Sequence, residues 1–107
     1  MALLLAWPGA AAAAEVLQVR SDRLLQVGDR NRSYVVELAC MAVEPGQEPA
    51  AIAWLRKELP RRSRVNLRPL GGGEEGRLLA HVRRLDRDTD VAQGLIAAGL
   101  ASPTPCP

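Results

Sequence analysis

The chain has 107 residues, a net charge of +2 and two cysteines, and its length is that of a single domain. It contains no Phe, two Trp and one Tyr, so Leu, Val, Ile and Ala have to fill a core of modest size. The small net charge disfavours a general polyanion-binding protein, and the N-terminal apolar stretch is shorter than the roughly 20 residues of a transmembrane span.

The first segment of the chain has the pattern of an export signal. An apolar run from Leu3 to Trp7 precedes a Pro-Gly pair and a block of alanines that ends at Ala14. This order is typical of a secretory signal peptide, although no Lys or Arg precedes the run. We predict a signal peptide at residues 1–14, cleaved near Ala14 and Glu15, and an exported protein of the periplasm or another extracytoplasmic compartment. The alternative is a short helix that remains attached.

The next part of the chain predicts three strands joined by two turns. Branched residues alternate with polar ones in "EVLQVR", which is typical of a half-buried strand, and "LLQVG" and "SYVVELAC" continue this pattern. The connections "SDR" and "DRN" are polar and favour turns. On the third strand, Tyr34, Val36 and Leu38 share one face.

The pattern of the second half of the chain predicts a helix, then two strands, then a second helix. Pro49 suits the first turn of a helix whose Leu55 and Leu59 have helical spacing, and Trp54 is interpreted as a core residue beside them. "SRVNLRPL" and "GRLLAHVRR" predict strands on either side of a "GGG" turn. In "VAQGLIAAGL" the pattern indicates a second helix, capped by Asp88 or Asp90.

This order of elements predicts the fold class. Many short strands with one interposed helix are typical of a mainly β fold, a five-stranded Greek-key barrel of the OB type. The domain is expected to occupy residues 15–101, followed by a Pro-rich tail at residues 102–107.

The two cysteines, Cys40 and Cys106, leave two possibilities open. In an exported chain they can form a disulfide that ties the tail to the barrel, and otherwise they are free thiols. Their spacing fits no zinc motif, so no metal site is expected. His81, the only histidine, is interpreted as a strand residue that faces solvent.

A basic segment ends the first predicted helix and is a candidate binding surface for polyanions. Alternatively, it is the solvated end of a helix, where the backbone dipole favours cations. The candidate binding residues are Arg56, Lys57, Arg61, Arg62 and Arg64.

Four segments, in order, resemble motifs of the staphylococcal-nuclease-like (thermonuclease) domain family. "VLQVRSDRLLQV" is similar to the first hairpin of that family, and "VELACMAVEP" resembles its Val-Arg-Leu-x-x-Ile-Asp-x-Pro-Glu segment. "GRLLAHV" and "VAQGLIAAGLA" resemble its Gly-Arg-x-Leu-Ala-x-Val strand and its second helix. The resemblance implies an OB barrel with one helix between strands 3 and 4 and one after strand 5. Active members cleave phosphodiesters of nucleic acids with a bound calcium ion.

The resemblance also implies that most positions of the nuclease site are substituted. The metal-binding Asp of the first hairpin corresponds to Arg23, and a phosphate-contacting Arg corresponds to Glu37. The second metal-binding Asp and the base Glu correspond to Ala42 and Pro45. Only the second phosphate-contacting Arg is matched, by Arg77.

Two further hypotheses follow from these positions. Arg23, Glu37 and Arg77 carry complementary charges and are expected to pair with one another in the former site. With a shifted alignment, Asp22 and Glu44 would instead supply carboxylates to a divergent nuclease that also uses Arg77.

The expected function is that of a non-catalytic binding module, a pseudoenzyme without a cofactor. A protein is the preferred partner and a polyanion such as nucleic acid the second, because single-strand binders usually offer aromatic stacking platforms. After the signal, only Tyr34 and Trp54 are aromatic. The alternatives are a divergent calcium-dependent nuclease and a small subunit of a larger envelope complex.

Overall fold

The computed structural model describes residues 13–107, so most of the predicted signal peptide lies outside the described residues. Ala14, where that prediction ends, is the first residue of β1. The strands are β1 (Ala14–Val19), β2 (Leu24–Asp29), β3 (Arg32–Leu38), β4 (Met41–Val43), β5 (Arg64–Gly72), β6 (Leu78–Arg84), β7 (Thr89–Asp90) and β8 (Ala101–Pro103), and the helices are α1 (Glu48–Glu58) and α2 (Val91–Ala97).

Five of the strands form a closed barrel. Their order is β3-β2-β1-β5-β6, with antiparallel neighbours, and a parallel pairing of β3 with β6 closes the sheet. Helix α1 lies between β3 and β5 in the chain, and α2 follows β6. The predicted mainly β barrel of the OB type, with its two helices, is confirmed.

The barrel core follows from the alternation of side chains along the strands. Residues at every second position point inward, and α1 and α2 add Leu55 and Leu95 to the same cluster. Burying an aliphatic side chain of this size contributes about 1.5–3 kcal/mol. The largest fully buried side chains are those of Leu25, Leu55, Leu95, Val16, Val27, Val36, Val65, Val82 and Val91.

Both helices begin and pack for identifiable reasons. Pro49 lies in the first turn of α1, and the Asp90 carboxylate caps α2 by accepting a hydrogen bond of 3.0 Å from the backbone N–H of Gln93. The Trp54 ring packs against Gly94 so closely that a Cβ there would lie 2.6 Å from a ring carbon. Trp54 is therefore a packing residue, as predicted.

Two local predictions differ from the structure. The "GGG" segment was expected to be the turn between two strands, but Gly71 and Gly72 lie in β5 and a 3₁₀ turn follows at Glu74–Gly76. Gly71 accounts for this, because its φ of +145° accompanies an irregularity in the pairing of β5 with β6.

The third predicted strand is also interrupted. Cys40 has a φ of +64°, so β3 ends before it and β4 turns away from the barrel sheet. There β4 pairs with β8, a strand that the sequence did not predict. The C-terminal tail is thereby attached to the barrel by backbone hydrogen bonds.

Among residues 13–107, no helix is both long enough and apolar enough to cross a membrane.

Candidate functional site

The fold brings together two of the positions implied by the nuclease resemblance. Glu37 lies on β3, and Arg77 immediately precedes β6. A Cβ on Gly73 would lie 3.5 Å from Glu37 Oε1 and 3.5 Å from Arg77 Cβ, so both side chains flank this glycine. The Gly73 N–H donates to the Arg77 carbonyl oxygen and fixes this arrangement.

Each of the two arginines forms an ion pair with an acidic neighbour in the chain. Arg23 Nε lies 3.9 Å from Asp22 Oδ1, and Arg77 Nη2 lies 3.8 Å from Glu75 Oε1. Neither of these two ion pairs uses Glu37, and the expected pairing of Arg23, Glu37 and Arg77 stays a prediction.

The remaining positions implied by the nuclease resemblance lie around β4. Ala42 and Pro45 are exposed. Glu44, which the shifted alignment offers as a carboxylate, accepts a hydrogen bond from the Ser102 hydroxyl, and its N–H donates to the Leu100 carbonyl at 3.0 Å. Glu44 therefore fastens the C-terminal segment to β4.

The five cations of the basic segment are exposed, and two of them bind β1. Arg61 Nη1 donates to the Leu17 carbonyl at 3.1 Å, and Arg62 Nη1 lies 3.4 Å from Glu15 Oε1. Arg56, Lys57 and Arg64 are exposed as well. The segment thus contacts β1 through Arg61 and Arg62 and also presents positive charge to solvent.

One apolar side chain stands out beside this segment. Leu85 is 41% exposed, and it is the only exposed large hydrophobic residue in the described part of the chain. It lines a surface cavity of about 490 Å³ together with Arg62, Ser63, Arg64 and Asp86. We call this surface the Leu85 patch. Sequence patterns did not identify it, because Leu85 lies in a polar connection.

Sequence patterns also did not identify a second basic surface. Arg32 and Tyr34 on β3 and Arg30 in the preceding turn line a cavity of about 660 Å³. Burial, and to a lesser degree the negative charge of Asp29, raises the pKa of the Tyr34 phenol. The two arginines are adjacent in space because the β2–β3 hairpin turns between them.

The two cysteines form a disulfide in the structure, which also places a histidine beside it. His81 Nε2 lies 3.7 Å from Cys40 Sγ, and His81 Nδ1 lies 3.7 Å from Asp90 Oδ2. The His81 side chain is only 29% exposed. His81 lies on a strand, as predicted, but its side chain is only partly exposed to solvent, because pairing of β6 with β7 brings it to Asp90 and the turn after β3 brings it to Cys40.

Comparison with known proteins adds no relative to this description. No family model matches the sequence, and no curated protein matches it significantly. Membership of the staphylococcal-nuclease-like family therefore rests on the four resembling segments and is a proposal.

Proposed function

We propose that this chain is an exported, non-catalytic OB-fold module, a degenerate relative of the staphylococcal-nuclease-like domains, which binds a protein partner and needs no cofactor for it. The observation that carries the proposal is the Leu85 patch. An exposed leucine in a cavity flanked by Arg62 and Arg64 suits an acidic segment with an apolar anchor.

The charges at the former reaction centre support a non-catalytic role. A carboxylate at Glu37 repels a phosphate, and a guanidinium at Arg23 repels a divalent cation. Arg77 has an acidic neighbour in Glu75, and the Glu44 carboxylate is hydrogen-bonded to Ser102. Each of these contacts uses a group that phosphodiester hydrolysis would otherwise need.

The aromatic residues support a protein rather than a single-stranded nucleic acid as partner. Base stacking needs exposed aromatic faces, but Trp54 packs against Gly94 and Tyr34 is half-buried against the core. Protein interfaces, by contrast, are enriched in arginine and have a polar rim around their buried centre.

The disulfide supports export. Disulfides persist in oxidising compartments such as the periplasm and are rare in the cytosol. The Cys40–Cys106 bond agrees with the predicted signal peptide, and mass spectrometry of the secreted chain would locate its first residue.

Affinity capture from the extracytoplasmic fraction of the native source tests the partner. The bait is the wild-type domain, with Leu85→Ser and Arg64→Glu as patch variants and Arg68→Glu, an exposed residue of the same strand, as matched control. We expect a retained protein whose recovery falls at least tenfold with both patch variants and is unchanged with the control. Equal recovery with all four baits, or no retained protein, would refute the patch as a binding surface.

A nuclease assay tests the catalytic alternative. The domain is mixed with denatured DNA and Ca²⁺, and acid-soluble fragments are measured; we expect none above background. Sustained cleavage that Arg77→Ala abolishes would overturn the non-catalytic proposal. If the domain instead binds DNA without cleaving it, with an affinity that falls steeply with salt, the partner is a polyanion.

A further inference from the structure

We propose that Cys40, Cys106 and His81 form a binding site for a divalent cation of the zinc type when the disulfide is reduced, with Asp90 positioning the histidine. The bonded disulfide and the bound cation are mutually exclusive states of the same site. The proposal is independent of the partner proposed above, because it rests on residues outside the Leu85 patch.

The distances between the ligand atoms carry the proposal. Cys40 Sγ lies 3.7 Å from His81 Nε2, and the ligand atoms of all three residues lie within 4.8 Å of one another. Zn–S bonds of about 2.3 Å and Zn–N bonds of about 2.0–2.1 Å place tetrahedral ligand atoms roughly 3.5–3.8 Å apart. Cys40 and His81 thus already have the required separation.

Cys106 can complete the set without a change in the barrel. It is exposed and lies in the tail after β8. The N–H of Thr104 donates to the Cys40 carbonyl at 3.0 Å, so the tail remains beside Cys40 after the S–S bond is broken. The Cys106 sulfur then has to move only a short way from Cys40 Sγ to reach the distance that separates two sulfur ligands of one cation.

Asp90 lies beside the histidine, at ion-pair distance and beyond that of a direct hydrogen bond. Its Oδ1 atom is held by the cap hydrogen bond from Gln93, and its Oδ2 atom lies 3.7 Å from His81 Nδ1. Metal-bound histidines usually donate the second ring N–H to such a carboxylate. The Nε2 atom of His81, which faces Cys40, is then the one available to a cation.

The chemistry of the exchange balances with an external dithiol. The dithiol loses two electrons and two protons and becomes a disulfide, while the Cys40–Cys106 bond becomes two thiols. Binding of the cation then displaces the two thiol protons, because thiolates are the ligands. Three protein ligands leave a fourth position for water.

Co²⁺ is a suitable probe, since its sulfur-to-metal charge-transfer absorption reports thiolate ligands. The full chain is reduced with a phosphine, titrated with Co²⁺ and back-titrated with Zn²⁺. We expect one Co²⁺ per chain, full displacement by Zn²⁺, and no absorption with the oxidised protein. His81→Ala and Cys106→Ser are expected to weaken Co²⁺ binding at least tenfold.

Two further variants distinguish a specific effect of Asp90 on cation binding from the general effect of removing a negative charge. Asp90→Asn keeps a good helix cap and is expected to weaken binding about 10–100-fold, whereas Asp88→Asn, an exposed acidic neighbour, leaves it unchanged. Circular dichroism of each variant under the reducing conditions of the titration establishes that it is folded. Absence of thiolate–Co²⁺ absorption in the reduced, folded wild type, or equal binding by His81→Ala, would overturn the proposal.

Discussion

At the scale of single residues, Arg84 is the charge most deeply embedded in this small barrel. Only 9% of it is exposed, and its guanidinium joins two elements. Nη1 lies 3.2 Å from Glu58 Oε1 at the end of α1, and Nη2 donates to Asp86 Oδ2 at 2.6 Å. Burying an unpaired charge is unfavourable, and these two carboxylates offset that free-energy cost for Arg84 at the edge of the core.

This arrangement predicts a pH dependence of stability. The hydrogen bond from Arg84 lowers the pKa of Asp86 below its ordinary value of 3.8. A lowered folded-state pKa means that the contribution of Asp86 is present above the unfolded pKa and is lost as the pH falls through the folded value. Urea unfolding at a series of pH values is expected to show wild type more stable than Asp86→Asn at neutral pH, with the difference vanishing in acid.

The Arg84→Met background provides the control for this prediction. Without the guanidinium, the pH-dependent effect of Asp86→Asn should be much smaller, since the largest cause of the lowered pKa is removed. A difference between wild type and Asp86→Asn that persists unchanged at low pH would contradict the assignment.

At the scale of elements, the small β4–β8 sheet determines how the tail is held. Three independent contacts fasten it: the backbone pairing of Met41–Val43 with Ala101–Pro103, the hydrogen bond of Ser102 to Glu44, and the disulfide. A strand pair of three residues is marginal in isolation. The Cys40–Cys106 disulfide is therefore expected to contribute most of the free energy that holds the C-terminal tail against the barrel.

Replacing Cys106 tests that expectation. The disulfide closes a loop with a sequence separation of 66, and the loop-closure model assigns about 4 kcal/mol to such a loop. Cys106→Ser should lose up to this amount in the free energy of unfolding, measured by denaturant titration with a chelator present. Wild type treated with a phosphine serves as the control and should lose the same; an unchanged free energy for Cys106→Ser would contradict the prediction.

At the scale of the whole molecule, one core inside the barrel supports the entire described chain. Residues from the barrel strands and both helices belong to a single cluster, to which β4 and β8 add Met41 and Ala101. Surface residues contribute little to such a fold. Stability and partner binding should therefore be separable by position.

Two leucines make this separation measurable. Leu25 is fully buried, so Leu25→Ala is expected to lower the free energy of unfolding by about 2–5 kcal/mol. Leu85→Ala, at an exposed position, should change it by less than about 0.5 kcal/mol while reducing partner capture. Comparable destabilisation by both variants would show that Leu85 is a core residue instead of a binding residue.

The sequence by itself determined the five barrel strands, the two helices and the fold class. Alternation in β1, β2 and β3, helical spacing around Leu55 and the capping carboxylate before α2 are local signals, and each correctly predicted a strand, a helix or a helix start. Their order was enough to indicate a closed OB barrel, because few topologies accommodate these elements.

Only the tertiary structure decided which distant residues meet. The proximity of Cys40, His81 and Cys106, the pairing of β4 with β8 and the cavity beside Leu85 each join segments far apart in the chain. No local pattern encodes such contacts, since they arise from strand register and from the left-handed backbone at Cys40. The candidate sites depend on these contacts, and for that reason they were the part that sequence patterns could not supply.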